Sequence, residues 1–132
     1  MKKYVLLTIV VFGLLAISCD NSTLPETKNT GGNKFPAPSS VTVWLNNIEW
    51  KYVDGASDYQ VYVKNLHNGQ IQKLDNFKYY NAYDKCVGSM ENSDFQKLSV
   101  YGFGPYQIGV IAVSPAGLYS DTTWSNTFTS LE

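Results

Sequence analysis

Val41-Thr42-Val43-Trp44-Leu45-Asn46-Asn47-Ile48-Glu49-Trp50-Lys51-Tyr52 alternates, breaks and alternates again. Successive side chains of an extended strand point to opposite faces, so a period of two marks a strand with one buried face. Val41 to Leu45 predicts a first strand and Asn46-Asn47 a turn. Ile48 to Tyr52 predicts a second strand, with Ile48, Trp50 and Tyr52 inward and Glu49 and Lys51 outward. The pattern continues downstream. Asp54 to Asp58 reads as a loop, and Tyr59 to Lys64 as a strand with Tyr59, Val61 and Val63 on one face. Asn68-Gly69 is a strong hairpin signal, because both central residues of such a turn take positive φ. Gln70 to Leu74 is then the returning strand. Tyr106 to Val113 is a long strand, apolar on much of both faces. Ser114 to Ser120 is a Pro/Gly loop, and Thr122 to Thr129 a last strand. Short strands at regular spacing, with no helical stretch after the N-terminal region, predict an all-β sandwich.

The chain begins differently. Lys2 and Lys3 precede an uncharged apolar stretch, Tyr4 to Ser18. At about 15 residues it is shorter than the roughly 20 needed to span a bilayer as a helix. A charged start, a short apolar core and a small residue before a cut describe a signal peptide. Leu15-Ala16-Ile17-Ser18-Cys19 resembles the lipobox of bacterial lipoproteins, with Ile17 a departure typical of relaxed versions. That resemblance implies cleavage before Cys19 and a diacylglycerol on its thiol. The competing reading is an ordinary signal peptide with an incidental cysteine. The lipobox is favoured because Cys19 stands where the apolar run stops. Asp20 to Ser40 is rich in Asn, Ser, Thr, Gly, Pro and Lys, too polar to offset its own ordering entropy. As a flexible coil of about 20 residues it would reach roughly 25 Å. The expected organisation is therefore a leader at 1–18, a lipidated tether at 19–35 and a domain at 36–130.

Within that domain, several pieces fall in a telling order. They are Phe35-Pro36-Ala37-Pro38 followed by Val41, Ile48-x-Trp50, and Tyr59-x-Val61-Tyr62-Val63. Tyr106-x-Ile108-x-Val110-x-Ala112-Val113 then leads into Ser114 to Ser120. In order and spacing they resemble the fibronectin type III domain. The resemblance covers Pro36 to about Thr129 and implies a seven-stranded, immunoglobulin-like β-sandwich. It also implies a tyrosine corner at Tyr106, with Val100 where the family usually has leucine. The stretch from Lys64 to Phe95 is longer than that family usually needs between its third and fifth strands.

Composition narrows function. The formal charge is −1, and every basic residue is a lysine. A weakly acidic, arginine-free surface argues against nucleic-acid binding. Of the two cysteines, lipid on Cys19 leaves Cys86 without an intrachain partner, either buried or open to intermolecular pairing. His67 beside the Asn68-Gly69 turn reads as a solvated turn residue. Asp54 and Asp58 bracket a loop and read as turn-formers that bond their own backbone, with a shared calcium ion the rarer case. Glu49, Asp75, Asp84, Glu91 and Asp94 form no paired-carboxylate motif. No phosphate-cradling loop or nucleophile elbow appears. The expectation is a non-enzyme with no metal and no cofactor beyond the lipid on Cys19.

Tyrosines remain. Phe77, Tyr79 and Tyr83 fall at even spacing and could share a strand face, with Tyr80 opposite. Tyrosine combines large contact area, few rotors and a polar tip, as binding surfaces require. The bland alternative places Phe77, Tyr79 and Tyr83 in the core. Trp124 is equally divided between edge core and stacking platform. Candidate ligand-binding residues are thus Tyr79, Tyr80, Tyr83 and Trp124. The expected role is a lipid-anchored module outside the cytoplasm, on the cell or outer membrane, that contacts a protein partner. A carbohydrate-binding module and an accessory subunit of an envelope complex are the rivals.

Overall fold

The computed structural model describes Leu24 and residues 34–91 and 104–129. The leader at 1–18, Cys19, nearly all of the tether, Asp94 and Val100 lie outside the described residues. The strands are β1 (Thr42–Trp44), β2 (Asn47–Lys51), β3 (Asp58–Asn65), β4 (Ile71–Lys73), β5 (Tyr79–Ala82), β6 (Lys85–Ser89), β7 (Tyr106–Val113) and β8 (Thr123–Trp124). They form two antiparallel four-stranded sheets, β1-β2-β6-β5 and β4-β3-β7-β8. No helix occurs among the described residues.

The period of two decides what lies between the sheets. Val43, Ile48, Trp50 and Cys86 from the first sheet meet Tyr59, Val61, Val63, Ile108, Val110 and Ala112 from the second in one buried cluster. Trp50 is its largest fully buried side chain, 1% exposed. Phe77 covers Gly88, where a Cβ would stand 2.1 Å from the Phe77 ring. Only a residue without a side chain leaves that ring its place over β6. Tyr106 is buried with its ring 5.9 Å from that of Phe128, and the backbones of the two residues exchange hydrogen bonds.

β7 spans the range its alternation predicts. Five expectations change. The sandwich has eight strands, not seven. The long stretch after Lys64 folds as two hairpins: β4 returns on β3, and β5 turns through Tyr83-Asp84 into β6. Burial of Phe77 and Tyr79 against Trp50 holds β5 beside β6. The first turn is Leu45-Asn46, and Asn47 already pairs with Trp44. Tyr52 does not face inward. It is 37% exposed, because β2 ends at Lys51 and the Tyr52 N–H bonds the Asp84 carbonyl instead. Asn68-Gly69 does sit in a hairpin, but not in a two-residue turn. Asn65 N–H bonds the Gln70 carbonyl around a four-residue loop, and only Gly69 there has positive φ (+76°). The last strand shrinks to Thr123–Trp124 because the Ser125 and Asn126 side chains take over its pairing.

That replacement closes one side of the sandwich. Val43 is the residue of β1 whose backbone faces away from β2. The Asn126 amide supplies what a neighbouring strand would: its Oδ1 accepts the Val43 N–H at 2.8 Å and its Nδ2 donates to the Val43 carbonyl at 3.2 Å. Upstream, the Thr123 hydroxyl donates to the Pro38 carbonyl and Phe35 bridges Ser120. The segment before β1 is thereby laced along β8. Replacing Asn126 with Ala strips both bonds from Val43 and should cost about 1–3 kcal/mol, read from urea denaturation midpoints. A loss within about 0.5 kcal/mol, the usual range for surface changes, would show that this edge needs no cover.

Candidate functional site

The β5–β6 hairpin places the tyrosines. Tyr79 and Tyr80 are neighbours on a strand and point to opposite faces. Tyr79 turns inward. Its ring stacks edge-on to Tyr59 at 5.5 Å and tilts against Trp50 at 5.5 Å. Its hydroxyl donates to Asp58 Oδ1 at 2.9 Å. That oxygen also accepts the Tyr59 N–H at 2.8 Å, and the Tyr59 hydroxyl accepts the Val53 N–H at 2.7 Å. Asp58 therefore bonds its own local backbone and one phenol. Cys86 is buried beneath, its thiol donating to Asn81 Oδ1 at 3.2 Å. Burial pushes that thiol up from its ordinary range.

Tyr80 and Tyr83 face solvent. Tyr80 is 64% exposed on the outer face of the first sheet, in a cross-strand row with Thr42, Glu49 and Val87. Tyr83 is fully exposed at the turn, with φ of +59°. Asp84 beside it is not among the positive-φ residues, so positive φ falls on the first central residue alone, the type II′ pattern that favours glycine there. A bulky residue in that region costs about 1–3 kcal/mol unless its surroundings hold it. Tyr83 thus occupies a strained position while making no use of the core.

The same thing happens at the other end of the sheet. Leu45, with φ of +52°, and Trp44 are 60% and 67% exposed at the β1–β2 turn. The sequence reading passed over this pair. Its signal was parity: if Val41 and Val43 point inward, Thr42 and Trp44 must point out.

Trp124 lies apart from both turns, on the outer face of the second sheet. Its ring crosses Gly109, where a Cβ would stand 2.7 Å from it. The Lys64 ammonium is 5.4 Å from the ring centroid. Tyr62 and Ile111 on that face are buried as well, and the Tyr62 hydroxyl donates to Gln60 Oε1 at 2.7 Å. Trp124 is half-buried in an apolar layer with a lysine over it. The candidate residues consequently occupy three places: Tyr79 in the core, Tyr80 and Tyr83 on the outward side of one hairpin, and Trp124 on the opposite sheet. His67 is exposed in the β3–β4 loop.

No family model, curated protein or solved structure matches the chain.

Chemically, the buried phenols are held neutral. Desolvation raises Tyr59 to about 12, and the nearby Cys86 adds to it while the Val53 N–H opposes. Desolvation, reinforced by the Asp58 carboxylate, raises Tyr79 further. A phenol held neutral this firmly exchanges no proton at neutral pH. Because the folded state favours the protonated form, the stabilisation is complete below the ordinary phenol range near 10 and is lost as pH rises through the raised values. The domain should therefore unfold in alkali between about pH 10 and 12, with the phenolate absorbance of Tyr59 and Tyr79 appearing together with loss of near-UV circular dichroism. Tyr79→Phe should remove the Tyr79 part of that absorbance. Ionisation of both phenols with the fold intact would contradict their burial.

Proposed function

We propose that this chain is a lipid-anchored, extracytoplasmic lipoprotein that presents a non-catalytic fibronectin type III-like module to a protein partner. The carrying observation is Tyr80 and Tyr83. Two tyrosines stand exposed on one hairpin, one of them in a backbone conformation that costs free energy and adds nothing to the core. Exposed aromatics of low side-chain entropy are what interfaces use. The fibronectin-like part of the reading draws on the strand order and on Trp50 buried between the sheets. The lipid part draws on Leu15 to Cys19. Two or more acyl chains hold a protein stably to a bilayer where one does so marginally.

A glycan reading rests on a different pair. Trp44 and Tyr80 project from the same outer face, separated by β2 and β6. Strands about 4.8 Å apart set their backbones roughly 15 Å from each other, a span that suits an extended oligosaccharide rather than a single sugar ring. Loss of glycan capture in Trp44→Ala would favour this reading over the protein partner.

Two experiments test the main proposal. Metabolic labelling with a palmitate analogue should mark the wild-type chain, and Cys19→Ala should abolish the label and release the protein from membranes. Equal labelling of both would refute the anchor. Crosslinking in intact membranes should trap a partner in wild type, and the Tyr80→Ala/Tyr83→Ala double variant should lose at least roughly tenfold in yield, the loss of a modest hot spot. Its melting temperature should stay close to that of wild type, since both side chains are exposed and alanine at residue 83 keeps the positive φ. Undiminished crosslinking in the folded double variant would move the contact to the Trp44-Leu45 turn.

A further inference from the structure

The sandwich has four edge strands, and they are treated differently. β1 and β8 share the side closed by Asn126, Thr123 and Phe35. β4 is three half-buried residues carrying Lys73. β5, Tyr79–Ala82, is the remaining edge. Exposed edges are usually guarded by charge, proline or a bulge. The sequence Tyr-Tyr-Asn-Ala has no charge and no proline, and β5 pairs with β6 residue for residue without a bulge. Ala82 and Lys85 close the two-residue turn, so Ala82 and Tyr80 exchange backbone bonds with β6. The N–H and C=O groups of Tyr79 and Asn81 then point away from the sheet. Among the described residues no backbone group meets them.

We propose that β5 pairs with the β5 of a second copy of this chain, antiparallel about a two-fold axis through Tyr80. The alternation of backbone groups selects this register. Tyr79 and Asn81 carry the outward groups, and setting Tyr79 opposite the partner's Asn81 is the register that pairs both of them within the strand, where Tyr79 on Tyr79 or Asn81 on Asn81 would pair only one; Tyr80 then faces the partner's Tyr80. Four backbone hydrogen bonds form, two at each Tyr79–Asn81 pair. Tyr80 falls at a non-hydrogen-bonded position, where facing Cα atoms approach to about 4.5 Å and side chains are closest. The two rings meet on the outer face and cover the strand's one large exposed aromatic. Lys78 falls opposite the partner's Ala82, beside the turn that carries the partner's Asp84. Lys78 and Asp84 are both exposed and neither forms a close ion pair among the described residues, although Asp84 also acts on Lys85 of its own hairpin. The two-fold operation sets these opposite charges near each other twice, within reach of the long lysine side chain. The same edge is self-complementary in backbone, ring and charge, as an isologous contact requires. Two sheets join into one of eight strands.

This inference rests on reading the hairpin as a contact surface and names its occupant. The test uses the full chain, in mild detergent and in its membrane. Wild type should shift from monomer to dimer with rising concentration in sedimentation velocity. Tyr80→Lys places two like charges on the axis and should weaken self-association roughly a hundredfold, since like charges facing each other cost several kcal/mol, with the melting temperature preserved. Tyr80→Cys should form a disulfide-linked dimer on mild oxidation, because facing Cα atoms about 4.5 Å apart are within disulfide range. Ala82→Cys, which faces the partner's Lys78 and lies far from its own symmetry mate, should not, and neither should wild type. A wild-type monomer at every concentration overturns the proposal. So does a dimer that Tyr80→Lys leaves intact, or linkage of Ala82→Cys as readily as Tyr80→Cys. If wild type is monomeric yet crosslinks a different protein through Tyr80 and Tyr83, self-pairing fails and the proposed function stands. If the dimer forms and no other protein is captured, the reverse holds.

Discussion

Trp50 touches Tyr59 across the sandwich and Phe77 and Tyr79 along its own sheet, with ring centroids between 5.3 and 6.3 Å. Aromatic rings at tilted or edge-on angles over that distance gain beyond simple burial. The consequences spread outward. Tyr59 must place its hydroxyl on Val53, which shapes the loop after β2. Tyr79 must reach Asp58 at the start of β3, which holds the β5 edge to the second sheet. Phe77 must lie over Gly88, which fixes the one position in β6 where no side chain fits. The cluster carries a cost too: the Trp50 Nε1 is buried without a hydrogen-bond partner among the described residues. Such an orphan donor is worth about 1–3 kcal/mol against the fold, so the ring contacts of Trp50 must outweigh it.

Two kinds of residue hold the rest in place. Side chains act as backbone at the edge where strands run out: Asn126 for Val43, Ser125 for Ile108 and Ser120 for Ala112. These are hydrogen bonds at buried or half-buried positions, where an unmade bond is expensive. Exposed ion pairs, Lys34–Asp121 and Lys85–Glu49, are of a different order, because solvent screens them. The first sheet therefore has one edge capped by a side chain and one edge left open, and the open edge is where the solvent-facing tyrosines gather.

Much of the fold was legible because alternation is a local signal. Ile48, Trp50, Tyr59, Val61, Val63, Ile108 and Val110 all face inward as their parity demands. Turn geometry was less legible. Asn68-Gly69 suggests a two-residue turn, but closure of the loop from Asn65 to Gln70 depends on backbone bonds that no dipeptide encodes. Tyr52 follows the parity of Trp50, yet the strand stops one residue short of it, held by the carbonyl of Asp84 more than thirty residues on. The tyrosines show the same limit. Even spacing groups Phe77, Tyr79 and Tyr83, and the first two do share the core. Tyr83 leaves them because a turn intervenes, and parity does not survive a turn. Trp44 was readable by parity alone and needed only to be followed one residue past Val43.

The lacing of residues 34–38 along β8 has a mechanical meaning. Any pull on the chain ahead of Lys34 enters the domain through the Phe35–Ser120 bridge, the only parallel contact among the described strands and bridges. A parallel contact loaded along the chain is pulled in shear, together with the Lys34–Asp121 ion pair beside it. Behind it stand Pro38 on Thr123 and Val43 on Asn126, a series of ties on one flank. The opposite flank, with β5 and β4, takes no part in these ties. A surface placed there meets the tether's pull only through the core that joins the two sheets.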